Sequence, residues 1–259
     1  MSVTNAQNIT VQTIGVGHSY SGRVALTGID LSLTSGTTAL VGVNGAGKST
    51  LLRTLAGAQQ PDMGSVRVAG LDPYHRRDRR AALIRVALMP QTATFPGNMT
   101  VHEVVSFVGW MRGLASRTAG RRAADVIERV GLATRSADRM KSLSGGMARR
   151  VALAQALVSA PDVLLLDEPS TGLDPEQRRA MVLLIRDLDA TVLFSSHIIE
   201  DVLDVAERVV VLESGRVIFD DALTALAAAG AAAGRCGSGA SDLEAGFLRL
   251  VSRSRGRES

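Results

Sequence analysis

The stretch Gly42-Val43-Asn44-Gly45-Ala46-Gly47-Lys48-Ser49-Thr50 fits G-x-x-x-x-G-K-[ST], a loop that wraps phosphate groups. Thr38-Ala39-Leu40-Val41 before it reads as a short buried strand. Ser49 to Ala56 after it reads as a helix, with Gly57 placed to stop it. Strand, glycine-rich turn and helix N-terminus together aim backbone N–H groups and the positive end of a helix dipole at phosphate oxygens. Gly42, Gly45 and Gly47 let the backbone approach without a Cβ in the way, and Asn44, Ala46 and Thr50 complete the loop. Lys48 would reach the β- and γ-phosphates of a nucleoside triphosphate, and the Ser49 hydroxyl would hold Mg²⁺.

Two further segments carry chemistry. Leu164-Leu165-Leu166-Asp167-Glu168-Pro169 is an apolar strand ending in two carboxylates. Asp167 at the strand tip can hold Mg²⁺ through water, and Glu168 is next in line to polarise an attacking water as general base. Leu143-Ser144-Gly145-Gly146-Met147 precedes a helix, so Ser144 at the N-cap with Gly145 and Gly146 forms a second anion-binding device. One triphosphate needs only one such device. The spare one suggests service to the nucleotide of another subunit. Charge points the same way. A magnesium-bound nucleoside triphosphate carries about −2 near its phosphates, while Lys48 offers one positive charge and its helix N-terminus roughly half a charge. A second helix N-terminus from a facing subunit improves that balance.

Around these motifs the texture divides. Ile9 to Gly15, Ala25 to Leu33 and Thr38 to Val41 read together as antiparallel strands with turns. Ser65 to Ala69 and Arg85 to Met89 are short strands. Val101 to Gly113, Gly120 to Val130 and Met147 to Val158 carry apolar residues at helical spacing, so residues 95–157 read as a helical lobe inserted into a sheet domain. The α/β rhythm returns with Val163 to Leu166. Asp174 and Pro175 start a helix through about Leu188, Thr191 to Ser195 is a strand, Glu200 to Ala206 is helical, and Val209 to Phe219 is a hairpin. Gly230, Gly234, Gly237 and Gly239 suggest a flexible link before a last amphipathic helix over Asp242 to Val251.

The 259 residues, 46% hydrophobic, suffice for one large domain with an inserted lobe. Aromatics are 3%, so the core must be mostly aliphatic. The net charge of +4 comes almost entirely from arginine. Clusters such as Arg76-Arg77, Arg79-Arg80, Arg121-Arg122 and Arg149-Arg150 read as solvated faces rather than a nucleic-acid track, because acids are interspersed and aromatics few. The one cysteine, Cys236, excludes an intrachain disulfide. Met1 to Thr10 has neither a basic nor an apolar signal region, and no apolar run approaches a membrane span. The expectation is a soluble chain that reaches a membrane only through partners.

In combination these residues resemble the nucleotide-binding subunit of the ATP-binding cassette family, over about residues 9–220. The family signature LSGGQ departs here only in Met147. The resemblance implies that Gln91, in Met89-Pro90-Gln91, is the glutamine between sheet core and helical lobe, near the nucleotide and its metal. It implies that Ser170-Thr171-Gly172-Leu173-Asp174 is the loop named for its aspartate, that His197 is the switch histidine, and that Tyr20 stacks on adenine. His18, His75 and His102 have no comparable context.

The expected fold is therefore α/β: a phosphate-loop core of mixed sheet and flanking helices, an N-terminal antiparallel β subdomain, and an inserted helical subdomain. The core spans 1–94 and 158–221, the helical subdomain 95–157, and a link with a C-terminal helix 222–259. The resemblance implies ATP with Mg²⁺, hydrolysed in a head-to-tail dimer whose second subunit is identical or related. Catalysis would rest on Glu168, His197 and Lys48, and the metal on Ser49, Gln91 and Asp167. Separate integral-membrane permease subunits would dock near residues 91–112 and hold the chain at the cytoplasmic face of the cell membrane. Drug or peptide export is the closest resemblance. A cassette ATPase working on nucleic acid is disfavoured, because such relatives carry two cassettes, a long coiled coil or zinc-binding cysteines. A phosphate-loop kinase or GTPase is disfavoured by the spare Ser144-Gly145-Gly146 device, and no Asn-Lys-x-Asp guanine motif is present.

Overall fold

A computed structural model describes residues 10–231 and 239–255. The chain begins with β1 (Val11–Tyr20) and β2 (Arg23–Leu33), then β3 (Gly36–Val41), α1 (Lys48–Leu55) and β4 (Met63–Val68). Helix α2 (Arg79–Arg85) leads into β5 (Val86–Met89). Three helices follow: α3 (Val101–Met111), α4 (Ser116–Arg129) and α5 (Gly145–Leu157). Then come β6 (Val163–Leu166), α6 (Pro175–Arg186), β7 (Thr191–Ser196), α7 (Ile199–Val205), β8 (Arg208–Glu213), β9 (Arg216–Ala222), α8 (Leu223–Ala231) and α9 (Gly239–Arg255).

The strands form two sheets. One is antiparallel, in the order β2-β1-β4. The other has six strands in the order β5-β6-β7-β3-β8-β9, parallel except for the β8–β9 hairpin. Alternation along each central strand explains the layering, because successive side chains point to opposite faces. In β6, Val163 and Leu165 pack with β1, β2, β4 and α1, through Leu31, Val66 and Leu51 among others. Leu164 and Leu166 pack on the other face with Val105, Leu153 and Met181 from the helices. All four are fully buried, as a doubly covered strand requires.

The helices form for local reasons. Thr100 and Glu103 make a reciprocal capping box at the start of α3. Helix α4 buries Ala119, Ala123, Val126 and Ile127, one stripe at helical spacing. Asp174 accepts the Gln177 N–H at 2.9 Å, and Pro175 takes the first turn of α6, where no N–H is needed.

Four expectations need correction. Strand β3 does not continue the antiparallel sheet with β1 and β2. It lies between β7 and β8 in the parallel sheet, because Ala39 and Val41 face the helical core while Leu40 faces the other layer. Helix α2 was not anticipated: only Ala82 is buried in it, so the segment has no apolar period to read. Helix α4 starts at Ser116, a turn before Gly120. Gly230 is no link. It sits in α8, where a Cβ would lie 1.8 Å from the Asp242 carbonyl oxygen of α9, and a Cβ on Gly246 would lie 2.3 Å from the Leu226 carbonyl oxygen. Two glycines thus let α8 and α9 cross at backbone contact. Gly234, Gly237, Cys236 and residues 1–9 lie outside the described residues. Among the described residues no helix is long and apolar enough to cross a membrane.

Candidate nucleotide site

Strand order decides where the site is. Strands β5, β6, β7 and β3 lie side by side and parallel, so Gln91, the Asp167–Glu168 pair, His197 and the phosphate loop leave the same carboxyl edge. This edge is where open parallel sheets bind ligands.

The phosphate loop is held by close backbone packing. A Cβ on Gly42 would lie 2.3 Å from the Leu212 carbonyl oxygen. Gly47, at φ 106°, has the Ala25 carbonyl oxygen 2.5 Å from where its Cβ would be. Both positions require glycine. Gly42 and Ala46 are buried behind the loop, whereas Asn44 and Gly45 are exposed on it. Lys48 opens α1, and its Nζ donates to the carbonyl oxygens of Gly42 (2.7 Å) and Val43 (3.2 Å). Burial lowers its pKa, opposed by the negative charges of Glu168 and Asp167. Helix α1 has no side-chain N-cap, so its first-turn amides lack the partner that Ser, Thr or Asp supplies elsewhere.

The two carboxylates are positioned differently. Asp167 is buried, and its Oδ1 accepts from Ser195 Oγ at 2.8 Å. The same Ser195 oxygen accepts the Glu168 N–H at 2.9 Å. Glu168 has φ 47°, in the left-handed region that non-glycine residues enter only when their surroundings hold them there. Its Oε2 accepts from Gln91 Nε2 (3.1 Å) and Thr171 Oγ1 (2.9 Å), and its Oε1 lies 3.4 Å from His197 Nδ1. His197 itself is exposed.

One cleft of about 760 Å³ joins these groups. Tyr20, Asn44, Gly45, Gly47, Lys48, Ser49 and Thr50 line it on the loop side. Gln91, Glu168, Thr171 and His197 line it opposite. Tyr20 stands half-exposed at the rim, its ring edge-on to His18 at 4.7 Å and its hydroxyl on Gln59 Oε1 at 2.5 Å. Asp167 is buried and does not line the cleft. Ser144, Gly145 and Gly146 are not in it. They form the N-terminus of α5, with Ser144 and Gly145 exposed and Gly146 buried, and Ser144 Oγ accepts the Met147 N–H at 3.3 Å. A Cβ on Gly146 would collide with Gln177 Oε1, 1.9 Å away.

Sequence reading missed four contributors. Thr171 and Ser195 contact the carboxylates, yet hydroxyls in a loop and a strand carry no pattern of their own. Asp201 is buried on α7, where it accepts from Ser170 Oγ and, at 2.5 Å, from Arg178 Nε. Arg149 overturns the reading of Arg149-Arg150 as a solvated face. Its guanidinium is half-buried and donates to the carbonyl oxygens of Pro90, Gln91, Asp167, Glu168 and Pro169.

Glycine-held backbone, a buried lysine and two strand-end carboxylates around one cleft suit a polyphosphate and an attacking water. Among the described residues no three His, Cys, Asp or Glu side chains cluster as a metal cage. One carboxylate and one hydroxyl near a phosphate loop fit Mg²⁺, which prefers few protein ligands and completes its shell with phosphates and water.

Comparison with known proteins agrees. The family described as ABC transporter matches residues 26–171. The linearmycin resistance ATP-binding protein LnrL of Bacillus subtilis is 33% identical over 212 residues, which are 80% of this chain and 68% of LnrL. The Nod factor export ATP-binding protein I of Paraburkholderia xenovorans is 37% identical over 217 residues, covering 82% of this chain and 71% of that protein. Among solved structures, cbiO1 of Clostridium perfringens, part of the ABC transporter complex cbiONQ, superposes with a TM-score of 0.73 at 29% identity, over 83% of this chain and 89% of cbiO1. With the cleft, the family match and these relatives in agreement, the chain belongs to the ABC transporter family, as an ATP-binding subunit that hydrolyses ATP.

Proposed function

We propose that this chain binds MgATP in the cleft and uses its hydrolysis to drive export through separate permease subunits. The observation that carries the catalytic reading is the Glu168 carboxylate, tethered by Gln91 and Thr171 and facing the same cleft as Lys48. Glu168 accepts the proton of the attacking water. Lys48 turns its Nζ from the loop carbonyls to the β- and γ-phosphates. The loop amides from Gly42 to Thr50 cradle the phosphates, Tyr20 supports the adenine, and His197 contacts the γ-phosphate. Ser49, Asp167 and Gln91 would hold Mg²⁺, which when bound would neutralise charge developing on the phosphate oxygens.

The Ser144-Gly145-Gly146 terminus serves the nucleotide of a second nucleotide-binding subunit, identical or related. The γ-phosphate then glues two chains together until it is cleaved. Residues 95–157 act as a helical subdomain on a core of 1–94 and 158–221, with 222–259 as an appended helical tail. Permease subunits contact the segment 91–112 and hold the chain at the cytoplasmic face of the membrane. Export is supported by the resistance and export roles named for LnrL and the Nod factor protein. The test of the catalytic reading is phosphate release by Glu168→Gln beside an ATP-binding titration. Lost turnover with kept binding is expected, and wild-type turnover contradicts it.

A further inference from the structure

Arg149 stands five residues into the helix that begins at the Ser144 cap, yet its side chain reaches the catalytic edge of the sheet. A guanidinium has five N–H donors. Here Nε donates to the Pro169 oxygen at 3.0 Å, one terminal nitrogen to the oxygens of Pro90 (3.2 Å) and Gln91, and the other to those of Asp167 (3.0 Å) and Glu168. Five donors thus meet five backbone carbonyls. Two belong to the loop after β5, which carries Gln91. Three belong to the loop after β6, which carries the two carboxylates.

The geometry points to Arg149 as a positioning residue that couples α5 to the two loops that carry Gln91 and Glu168. The inference deepens the catalytic reading above and rests on Glu168 as the base. Glu168 is strained at φ 47°, so something must hold its backbone. Ser195 takes its N–H and Arg149 its carbonyl. The Gln91 carbonyl is on the same guanidinium, and the Gln91 side chain is on the Glu168 carboxylate. A shift of α5, of the kind a phosphate at its N-terminus would cause, therefore reaches both residues without passing through the sheet. Lysine cannot replace this link, because an ammonium has three donors and no planar fork.

The test compares Arg149→Met and Arg149→Lys in the full chain, alone and combined with Glu168→Gln. Arg149→Met should lower kcat roughly 10- to 100-fold, the scale of a small misplacement of a catalytic group. KM for ATP should stay within about threefold, since Arg149 does not line the cleft. Arg149→Lys should recover only part of the loss. In the Glu168→Gln background, single-turnover rates should fall by less than about threefold on adding Arg149→Met, because both changes remove one function. Wild-type kcat in Arg149→Met overturns the inference. So does an equal fold-loss in both backgrounds, or a loss confined to KM. If Arg149→Met melts before assay, Arg149→Lys decides by the same kcat-against-KM split. Wild-type turnover of Glu168→Gln alone removes the base reading, whatever Arg149 does.

Discussion

Two helix N-termini in this chain look alike in sequence and differ in structure. Helix α1 starts behind Gly47, uncapped by any side chain, with Lys48 buried and the loop packed against Ala25 and Leu212. The cleft beside it is furnished from several strands of one chain. Helix α5 starts behind Ser144, capped by its own hydroxyl, with Ser144 and Gly145 exposed. None of Ser144, Gly145 and Gly146 lines the cleft that Lys48 and Glu168 line. Glycines and helix dipoles make an anion-binding end, but the surrounding sheet edge makes a reaction site. The first terminus has that edge, and on the proposed function the second meets one from another subunit.

Perturbing the furnished terminus should give the largest effects. Glu168→Gln should cut steady-state phosphate release by about two to four orders of magnitude, the usual range for loss of a general base. ATP affinity, read by nucleotide titration, should hold. Equal loss of binding and turnover would mean that Glu168 shapes the cleft rather than acting on water. Next comes Lys48→Ala, which removes the pin on the Gly42 and Val43 carbonyls and, on the proposed function, a charged partner of the phosphates. Affinity for ATP should fall roughly 10- to 150-fold, as expected from 1.5–3 kcal/mol for a charged hydrogen bond.

The exposed terminus should respond more weakly in the single chain. Ser144→Ala removes the cap on the Met147 amide. It should cost about 0.5–2 kcal/mol in a denaturant melt while ATP titration of the monomer stays unchanged. Weakened ATP binding in that monomer would make the two termini parts of one site and end the distinction between them.

Legibility followed the range of the interactions. The phosphate loop, the β6 strand and the Asp174–Pro175 helix start could be read directly, because each is settled by neighbours within a few residues. Gln91 and His197 gained meaning only from family order, and the structure sets both beside Glu168. Arg149 was misread because its five partners lie 18 to 59 residues away in the chain. An arginine next to another arginine looks solvated until the fold supplies carbonyls. Gly230 was misread for the same reason: its meaning lies in Asp242 and Gly246, across a helix crossing that no local pattern encodes. Strand β3 was assigned to the wrong sheet because short apolar strands do not announce their partners.

The claim that each chain holds one complete half and lends the other is tested by mixing two inactive variants. Lys48→Ala has a damaged loop and an intact α5 terminus. Ser144→Arg has an intact loop and a blocked terminus. Each alone should hydrolyse almost no ATP. In a mixed dimer the intact loop of one chain meets the intact terminus of the other, and one whole site is rebuilt. The account predicts that phosphate release appears on mixing and peaks near equal amounts of the two. A mixture as inactive as its components, with both chains folded, would contradict it.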